Sequence, residues 1–512
     1  MALANFFDKA AVAAAQALQG LDYASLTESL KARVVGLAFD DRALTRPEGK
    51  LAFELAINLL ARLYPRLIII PASGRAEEAV ENFISIAHSI NPDIEIGEDG
   101  ATAAAILAVG ETEVKTTAPV VYMGSEGWVA RISSRGPVGS GDSLNPFGAG
   151  AAACFGAANI FRLLFGAHLR EGKVDTAFSL SLLDYDPQAP KPYNPPLKSI
   201  GLGESYLVGL GAVGNGALWA LAKTPELTGV LHLIDHESVE LSNLQRYVLT
   251  TQGEVDESKV LLAAKQFADT KVEARPHKQK WGEYLRNVSA WNFERIAVAV
   301  DNAEDRQAIQ AALPKWVVNA WTQPGDLGVS RHGFLGDDAC LTCLYFPNEM
   351  GKHLDQIVAS AIGLPEAYLE VRALLHTNAP IGRDLVMRAA SAMGVPLEPL
   401  LPFESEPICV FYARAICGGA VLRLGGTVGG SHRMAAVPLA FQSALAGIML
   451  AAELVAHAGG LRSVAFPATT KIDLLRPLGS HLSLHIRKHR SGYCICQDKD
   501  YIKAYREKYE PS

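Results

Sequence analysis

The sequence predicts an α/β protein in two halves, a doubly wound Rossmann-like domain preceded by a degenerate α/β unit. Three observations carry this. From residue 205 onward, strand-like apolar runs alternate with helix-like ones, the pattern of a parallel sheet with crossover helices. The stretch LVGLGAVGNGALWAL, 207–221, sets Gly209, Gly211 and Gly214 as G-x-G-x-x-G between such a strand and such a helix. Two long runs rich in Ala and Gly, led by Pro146 and Pro438, fall late in each half. They read either as two similar core helices or as a pseudo-twofold duplication with an inactive first half and an active second half.

Taken in order, LAFELAINLLARLY (51–64) predicts a helix, RLIIIPA (66–72) a buried strand and EEAVENFISIAHSI (77–90) a helix. AAILAVG and APVVYMG predict further strands, and no glycine loop follows any early strand. The segment YDPQAPKPYNPPLKS, 185–199, holds five prolines. Proline fixes φ and removes a backbone donor, so this is an extended connector and the clearest boundary in the chain. Beyond it SYLVGLG predicts a strand, 213–224 a helix, GVLHLIDH a strand, 257–268 a helix, and FERIAVAVDN and KWVVNAWT two more strands. From 350 to 416 the pattern turns helical, which inside an α/β domain reads as an insertion.

Composition bounds the function. The 512 residues suffice for two to four domains. A net charge of −7 and the lack of a long basic stripe argue against nucleic acid, and the short run IRKHR, 486–490, reads as a solvated strand end. The N-terminal 20 residues, with Asp8 and Lys9, predict an amphipathic helix, not a signal peptide, so the expected location is cytoplasmic. Residues 145–168 and 436–459 approach membrane-span composition. Asn159 and Arg162 interrupt the first, Gln442, Ser443 and Glu453 the second, so both are expected to be buried core helices with no membrane partner. Seven cysteines with two close pairs fit reduced thiols or metal better than a disulfide framework.

The glycine pattern alone permits a dinucleotide. Asp235, ending VLHLID, is spaced to accept hydrogen bonds from a ribose. The residues downstream shift the reading. VELSNLQRYVL supplies Asn243 and Arg246, and ESKVLLAAK supplies Lys259. Cations beyond the loop suit cleavage of ATP, because charge develops on the leaving pyrophosphate. Asp301, in AVAVDNAEDR, follows an apolar strand at the end that faces the crevice of a parallel sheet, where a carboxylate suits Mg²⁺. The competing role for Asp301 is capping the next helix.

Together GLGAVGNG, LIDHESVELSNLQR, Lys259 and AVDNAEDR resemble the ubiquitin-activating family, which includes the ThiF-like enzymes that activate sulfur carriers. The match covers about 205–345 and the run near 438–456. The resemblance implies that Asp235 holds the ribose, that Asn243, Arg246 and Lys259 act at the ATP phosphates, and that Asp301 binds Mg²⁺. Glu237 stands where the family has a second acid. An Arg of the inactive half is expected to reach ATP, with Arg33, Arg42 and Arg135 as candidates. The implied division is 1–186 an inactive adenylation-like half, 187–199 a linker, 200–348 the active adenylation domain, 349–420 a helical catalytic-cysteine insertion, 421–480 its completion, and 481–512 a zinc-cysteine segment.

Cys340-x-x-Cys343 and Cys494-x-Cys496 offer four soft thiolates, which suit Zn²⁺, with unmetallated core thiols as the alternative. The family closes such a site with two C-x-x-C pairs, so the C-x-C pair departs from it. A redox role is disfavoured because Cys340–Cys343 is not expected to open a helix. Cys154 reads as packing and Cys409 as a buried strand or helix position. Cys417 ends the helical block before Gly418 and Gly419, where a nucleophile has room, with Arg414 nearby to favour the thiolate. The resemblance makes Cys417 the transfer cysteine, with Cys409 or none as alternatives.

The expected activity is thus ATP-dependent activation of a ubiquitin-like protein. Its C-terminus is adenylated, passed to Cys417 and delivered to a conjugating enzyme, as in bacterial systems of which some serve in phage defence. The rivals are a sulfur-carrier adenylyltransferase, an NAD-dependent oxidoreductase and a silent scaffold. The oligomeric state is left open, a homodimer included.

Overall fold

Two sheets are laid down in succession with the same strand order. In the computed structural model the described residues are all but 1–4, 19, 22, 98–99, 324–325, 347–353, 417–420, 422–436, 463–465 and 511–512. The first sheet comprises β1 (Val35–Phe39), β2 (Arg66–Pro71), β3 (Glu95–Gly97), β4 (Ala105–Val109), β5 (Val120–Glu126), β6 (Val129–Ser133) and β7 (Ala177–Ser181), in the order β3-β2-β1-β4-β5-β6-β7. The second comprises β8 (Ile200–Val208), β9 (Leu227–Ile234), β10 (Val272–His277), β11 (Arg295–Val298), β12 (Trp316–Gln323), β13 (Asp326–His332), β14 (Thr469–Ile472) and β15 (Ser483–Leu484). Its order is β10-β9-β8-β11-β12-β13-β14-β15. In each sheet the first five strands are parallel and the later ones antiparallel. Because β15 extends the second sheet, the sheet runs past the expected boundary at 480.

The two apolar runs are core helices. Pro146–Phe165 is capped by Asn145, whose side chain accepts from Phe147 N. Ala440–Ala458 is its counterpart, and 94% of the apolar window of each is buried. They meet each other and Ala212–Ala222 where the halves join, with Phe161 and Phe441 rings 5.9 Å apart. Small residues permit the approach. A Cβ on Gly447 would lie 2.1 Å from the Val213 carbonyl oxygen, and one on Gly150 would lie 2.5 Å from the Trp219 ring. One apolar core therefore runs through both halves.

The polar interruptions in these helices are anchors. Arg162 pairs with Asp175, which also takes Asn159 Nδ2 at 3.0 Å. Leu478 N of the second half donates to the same carboxylate at 2.8 Å. Glu453, fully buried, takes both Arg331 and Arg462. Arg462 Nε continues to the Leu183 carbonyl of the first half at 2.7 Å.

The helical insertion holds its own core. Leu354–Ala361, Tyr368–Thr377 and Gly382–Met393 pack Val358, Val371, Leu385 and Met393 with Ile408, Phe411 and Ile416. A turn of π-helix covers Tyr412–Ile416 within it.

Candidate functional site

In the second sheet the chain reverses its winding at β8, flanked by β9 and β11. In such sheets the crevice outside the carboxyl ends of these strands takes ligands. Gly209 ends β8 at φ +90, where a side chain would be strained, and a Cβ there would lie 2.8 Å from the Ala299 carbonyl. This tight contact sets the glycine turn against the segment leading to Asp301. Gly211 caps the Ala212–Ala222 helix. A Cβ on Gly214 would lie 2.3 Å from the Gly209 carbonyl oxygen, so the third glycine lets the helix close on the turn.

Asp235 follows β9 and is fixed by two backbone donors, Leu210 N at 2.7 Å and Glu237 N at 2.9 Å. One carboxylate thus ties the glycine turn to the β9 end. Lys259, buried, pairs with Glu237 and sits 5.3 Å over the Tyr247 ring. Burial pulls its ammonium pKa down, but Tyr247, Asp235 and Glu237 outweigh burial and hold it above the ordinary lysine value. Asn243 is buried, and its Oδ1 accepts from Glu240 N at 3.0 Å, which shapes its own turn. Arg246, half-buried, follows on the same loop beside Tyr247.

Asp301 is exposed past the end of β11. The expected alternative, a capping Asp301, is corrected: Asn302 caps the Ala303–Ala311 helix, accepting from Asp305 N at 2.7 Å. Arg306, the last residue of AVDNAEDR and given no role in the sequence reading, braces this turn. It donates to the Val300 carbonyl at 2.5 Å and to Asn319 Oδ1 at 2.9 Å, and stacks 4.6 Å from the Tyr345 ring. Burial lowers its pKa, against Tyr345, Asp301 and Asp305.

The structure therefore gathers Gly209, Gly211, Gly214, Asp235, Asn243, Arg246, Lys259 and Asp301 at the ends of β8, β9 and β11. At the corresponding end of β1 in the first sheet stand Asp40 and Asp41. Asp40 caps a short helix through Ala43 N at 2.8 Å. A carboxylate at that helix start repels a phosphate, where the glycine turn of the second sheet admits one.

The expected first-half arginines lie elsewhere. Arg33 donates to the Ser29 carbonyl and covers Phe165, Arg42 pairs with Glu111, and Arg135 is held through its backbone by Ser133. Among the described residues, the first-half arginine seen to hold the crevice loops is Arg62, which donates to the Leu244 and Thr250 carbonyls. Its only sequence signal was a lone cation closing an apolar helix.

Cys340, Cys343, Cys494 and Cys496 converge, all buried, with every sulfur within 4.8 Å of the others. Measured pairs lie 3.3 to 3.8 Å apart. A tetrahedral zinc with bonds of about 2.3 Å sets its sulfurs about 3.8 Å apart, so the C-x-C spacing fits the ligand set. One expectation changes here. Cys340 does open a helix, the four-residue Leu341–Leu344, but it faces three other sulfurs, not one redox partner. The 486–490 run follows β15 with Arg487 and Arg490 exposed, and its backbone reaches the cysteine group: Ile486 O accepts from Ala339 N at 2.7 Å, and His489 N donates to Cys343 Sγ at 3.3 Å. The group lies away from the crevice, following β13, whose end His332 pairs with Val317 near the start of β12.

Cys409 is corrected from a buried position to an exposed one on Ile408–Phe411, 3.8 Å from Asn378 Oδ1. Cys154 is fully buried mid-helix, as expected of a packing residue. Cys417 lies outside the described residues.

Residues 38–166, β1 through the Pro146–Phe165 helix, match the family described as Prokaryotic E2 family C. Over 509 residues the chain is 48% identical to the uncharacterized protein y4jF of Sinorhizobium fredii (strain NBRC 101917 / NGR234), covering 99% of this chain and 98% of that one. Among solved structures, E. coli MccB with MccA-N7isoASN aligns at a TM-score of 0.36 and 13% identity, over 58% of this chain and 67% of that chain. E. coli MccB with ATP aligns at 0.35 and 12%, over 58% and 67%. Residues 197–494, the glycine turn through the cysteine pairs and more than half of the chain, match the ThiF family. The chain belongs to the ThiF family and is an ATP-dependent adenylating enzyme.

Proposed function

We propose that this chain activates the C-terminal carboxylate of a ubiquitin-like protein and hands it on as a thioester. The observation that carries the reading is the placement of a glycine turn, a ribose-type carboxylate, two cations and Asp301 on three adjacent strand ends. The carrier carboxylate oxygen attacks the α-phosphorus of ATP, and the bond to pyrophosphate breaks. Arg246 and Lys259 stabilise the charge that develops on the leaving group, Asp235 holds the ribose, and Asp301 holds Mg²⁺, which neutralises phosphate charge when bound. The Cys417 thiolate then attacks the acyl-adenylate carbonyl and AMP leaves. The insertion has a core of its own that includes the Tyr412–Ile416 turn, and Cys417 is the next residue in the sequence.

The first half is the non-catalytic counterpart of the second, a reading supported by the shared strand order and by Asp40 and Asp41 in place of the glycine turn. Its family match to Prokaryotic E2 family C does not bring a transfer thiol. The sole cysteine in 38–166 is Cys154, buried, with its pKa pushed up by burial. Conjugation therefore falls to a separate enzyme, and phage defence is the setting we infer from the same resemblance.

The test is mass spectrometry after mixing the chain with ATP, Mg²⁺ and carrier candidates ending in Gly. We expect a thiol-cleavable thioester adduct on Cys417 that disappears in Cys417→Ala while adenylate still forms. An adduct that survives in Cys417→Ala and disappears in Cys409→Ala would move the role to Cys409. Adenylate with no adduct in any variant would favour sulfur-carrier activation.

The four cysteines are proposed to hold a structural Zn²⁺. Elemental analysis of chain purified without chelator is expected to give one zinc per chain, lost in Cys494→Ser. With it goes protection from hydrogen exchange over Lys499–Tyr509, the helix that follows the second pair. Metal-free wild type with that helix still protected would leave the group as packed thiols.

A further inference from the structure

The loop that carries Asn243, Arg246 and Tyr247 is held from outside its own half. Arg62, closing the first half's Pro47–Ala61 helix, is 1% exposed. Its guanidinium donates to the Leu244 carbonyl, to the Thr250 carbonyl at 2.9 Å, and through Nε to Asn58 Oδ1 at 3.0 Å. Asn58 Nδ2 in turn donates to the Val248 carbonyl at 3.0 Å. Carbonyls on either side of Arg246 and Tyr247 thus end on two side chains one helical turn apart. Within its own half, Asn215 Oδ1 ties Leu249 N at 3.0 Å and Asn215 Nδ2 reaches the Leu210 carbonyl at 3.3 Å, so the loop and the glycine turn share a fastening.

Burying a guanidinium is costly. Burial pulls the Arg62 pKa down to about 9, against a smaller upward pull from Glu254. An apolar side chain would join the halves at less cost. What Arg62 supplies instead is a rigid fork that fixes two carbonyls at a set separation. Those two carbonyls bracket the residues aimed at the nucleotide.

We propose that Arg62 is a positioning residue for the nucleotide site, locking 244–250 so that Arg246 meets the far phosphates of ATP. This rests on the role given to Arg246 under the proposed function. The first half then serves the reaction through the docked end of one helix.

The test is equilibrium binding of Mg·ATP and of AMP to the full chain. AMP lacks the β- and γ-phosphates, so the ratio of the two affinities reads the phosphate end alone. Arg62→Lys keeps the charge and loses the fork, and Asn58→Ala removes the second brace. Each is expected to lower the ATP:AMP affinity ratio about tenfold, roughly the worth of one hydrogen bond to a charged group, with AMP affinity nearly unchanged. Arg246→Ala is expected to lower the ratio at least as far. Arg66→Ala, which breaks the surface pair with Glu95, is the control and leaves the ratio unchanged. Equal losses for ATP and AMP in Arg62→Lys would overturn the proposal in favour of a merely structural role. So would an unchanged ratio in both brace variants while Arg246→Ala lowers it. An unchanged ratio in Arg246→Ala would instead overturn the reading of the loop on which the proposal stands.

Discussion

Glu453→Gln is expected to lower the unfolding free energy of the chain by about 3–5 kcal/mol, the cost of removing one partner from a buried ionic group. Glu453 lies in the middle of the apolar Ala440–Ala458 helix with no exposure. Its two oxygens accept from Arg331 at 2.5 and 2.6 Å and from Arg462 at 2.5 and 2.7 Å. Burial alone would raise its pKa, but the two guanidiniums outweigh burial and hold it at about 2, below the ordinary 4.5. A lowered carboxylate pKa stabilises the fold above the unfolded value and ceases to do so as the pH falls through the folded one. The contribution of Glu453 is therefore complete above about pH 4.5 and is lost toward about pH 2. Glutamine keeps the shape and removes the charge, leaving two guanidiniums in a low-dielectric core. Because Arg462 also reaches the Leu183 carbonyl, the junction between the halves loosens with it. Urea unfolding at pH 7 measures the loss. A change under about 1 kcal/mol would show that the arginines find other partners.

The contrast between Glu453 and the glycine turn shows what the sequence could disclose. The turn was legible because strand, glycine spacing, helix and Asp235 all lie close together along the chain, and their geometry is local. The two apolar helices were legible as core because Asn159, Arg162 and Glu453 interrupt them. Which partners those residues take was not, since Asp175, Arg331 and Arg462 come close only after the chain has folded. Arg62 is the same case across a longer gap: its contact with Leu244 spans 182 positions. Some strands were missed for local reasons. β1 lacks the glycine turn that marked β8. β10 carries Glu273, Arg275 and Pro276, which an edge strand tolerates and a central one does not. The Cys494-x-Cys496 spacing looked like a departure because spacing is only a proxy for reach. The chain around Ile486 and His489 folds back on Cys343 and closes the difference.

Lys259→Met is expected to slow adenylation of the carrier by about 10²–10³-fold, the usual cost of deleting a preorganised group that meets developing charge. The lysine is already in place before the nucleotide binds. Its ammonium is buried, paired with Glu237, and kept protonated by Tyr247, Asp235 and Glu237 acting together against burial. A buried cation already held charged needs little reorganisation when pyrophosphate begins to leave. Its interaction strengthens as that charge grows, so the loss should fall on kcat more than on the affinity for ATP. Methionine fills nearly the same volume, which keeps the packing against Tyr247 and separates the charge from the shape. Glu237→Gln serves as the internal comparison. It removes an anion that balances Lys259 before the nucleotide arrives, and the ammonium retains Tyr247 and Asp235. That variant is expected to stay within about tenfold of the wild type. Pyrophosphate release with the carrier, followed across ATP concentrations, separates the two parameters. A Lys259→Met enzyme with an unchanged kcat and a raised KM would assign the lysine to ground-state binding and leave the leaving group to Arg246.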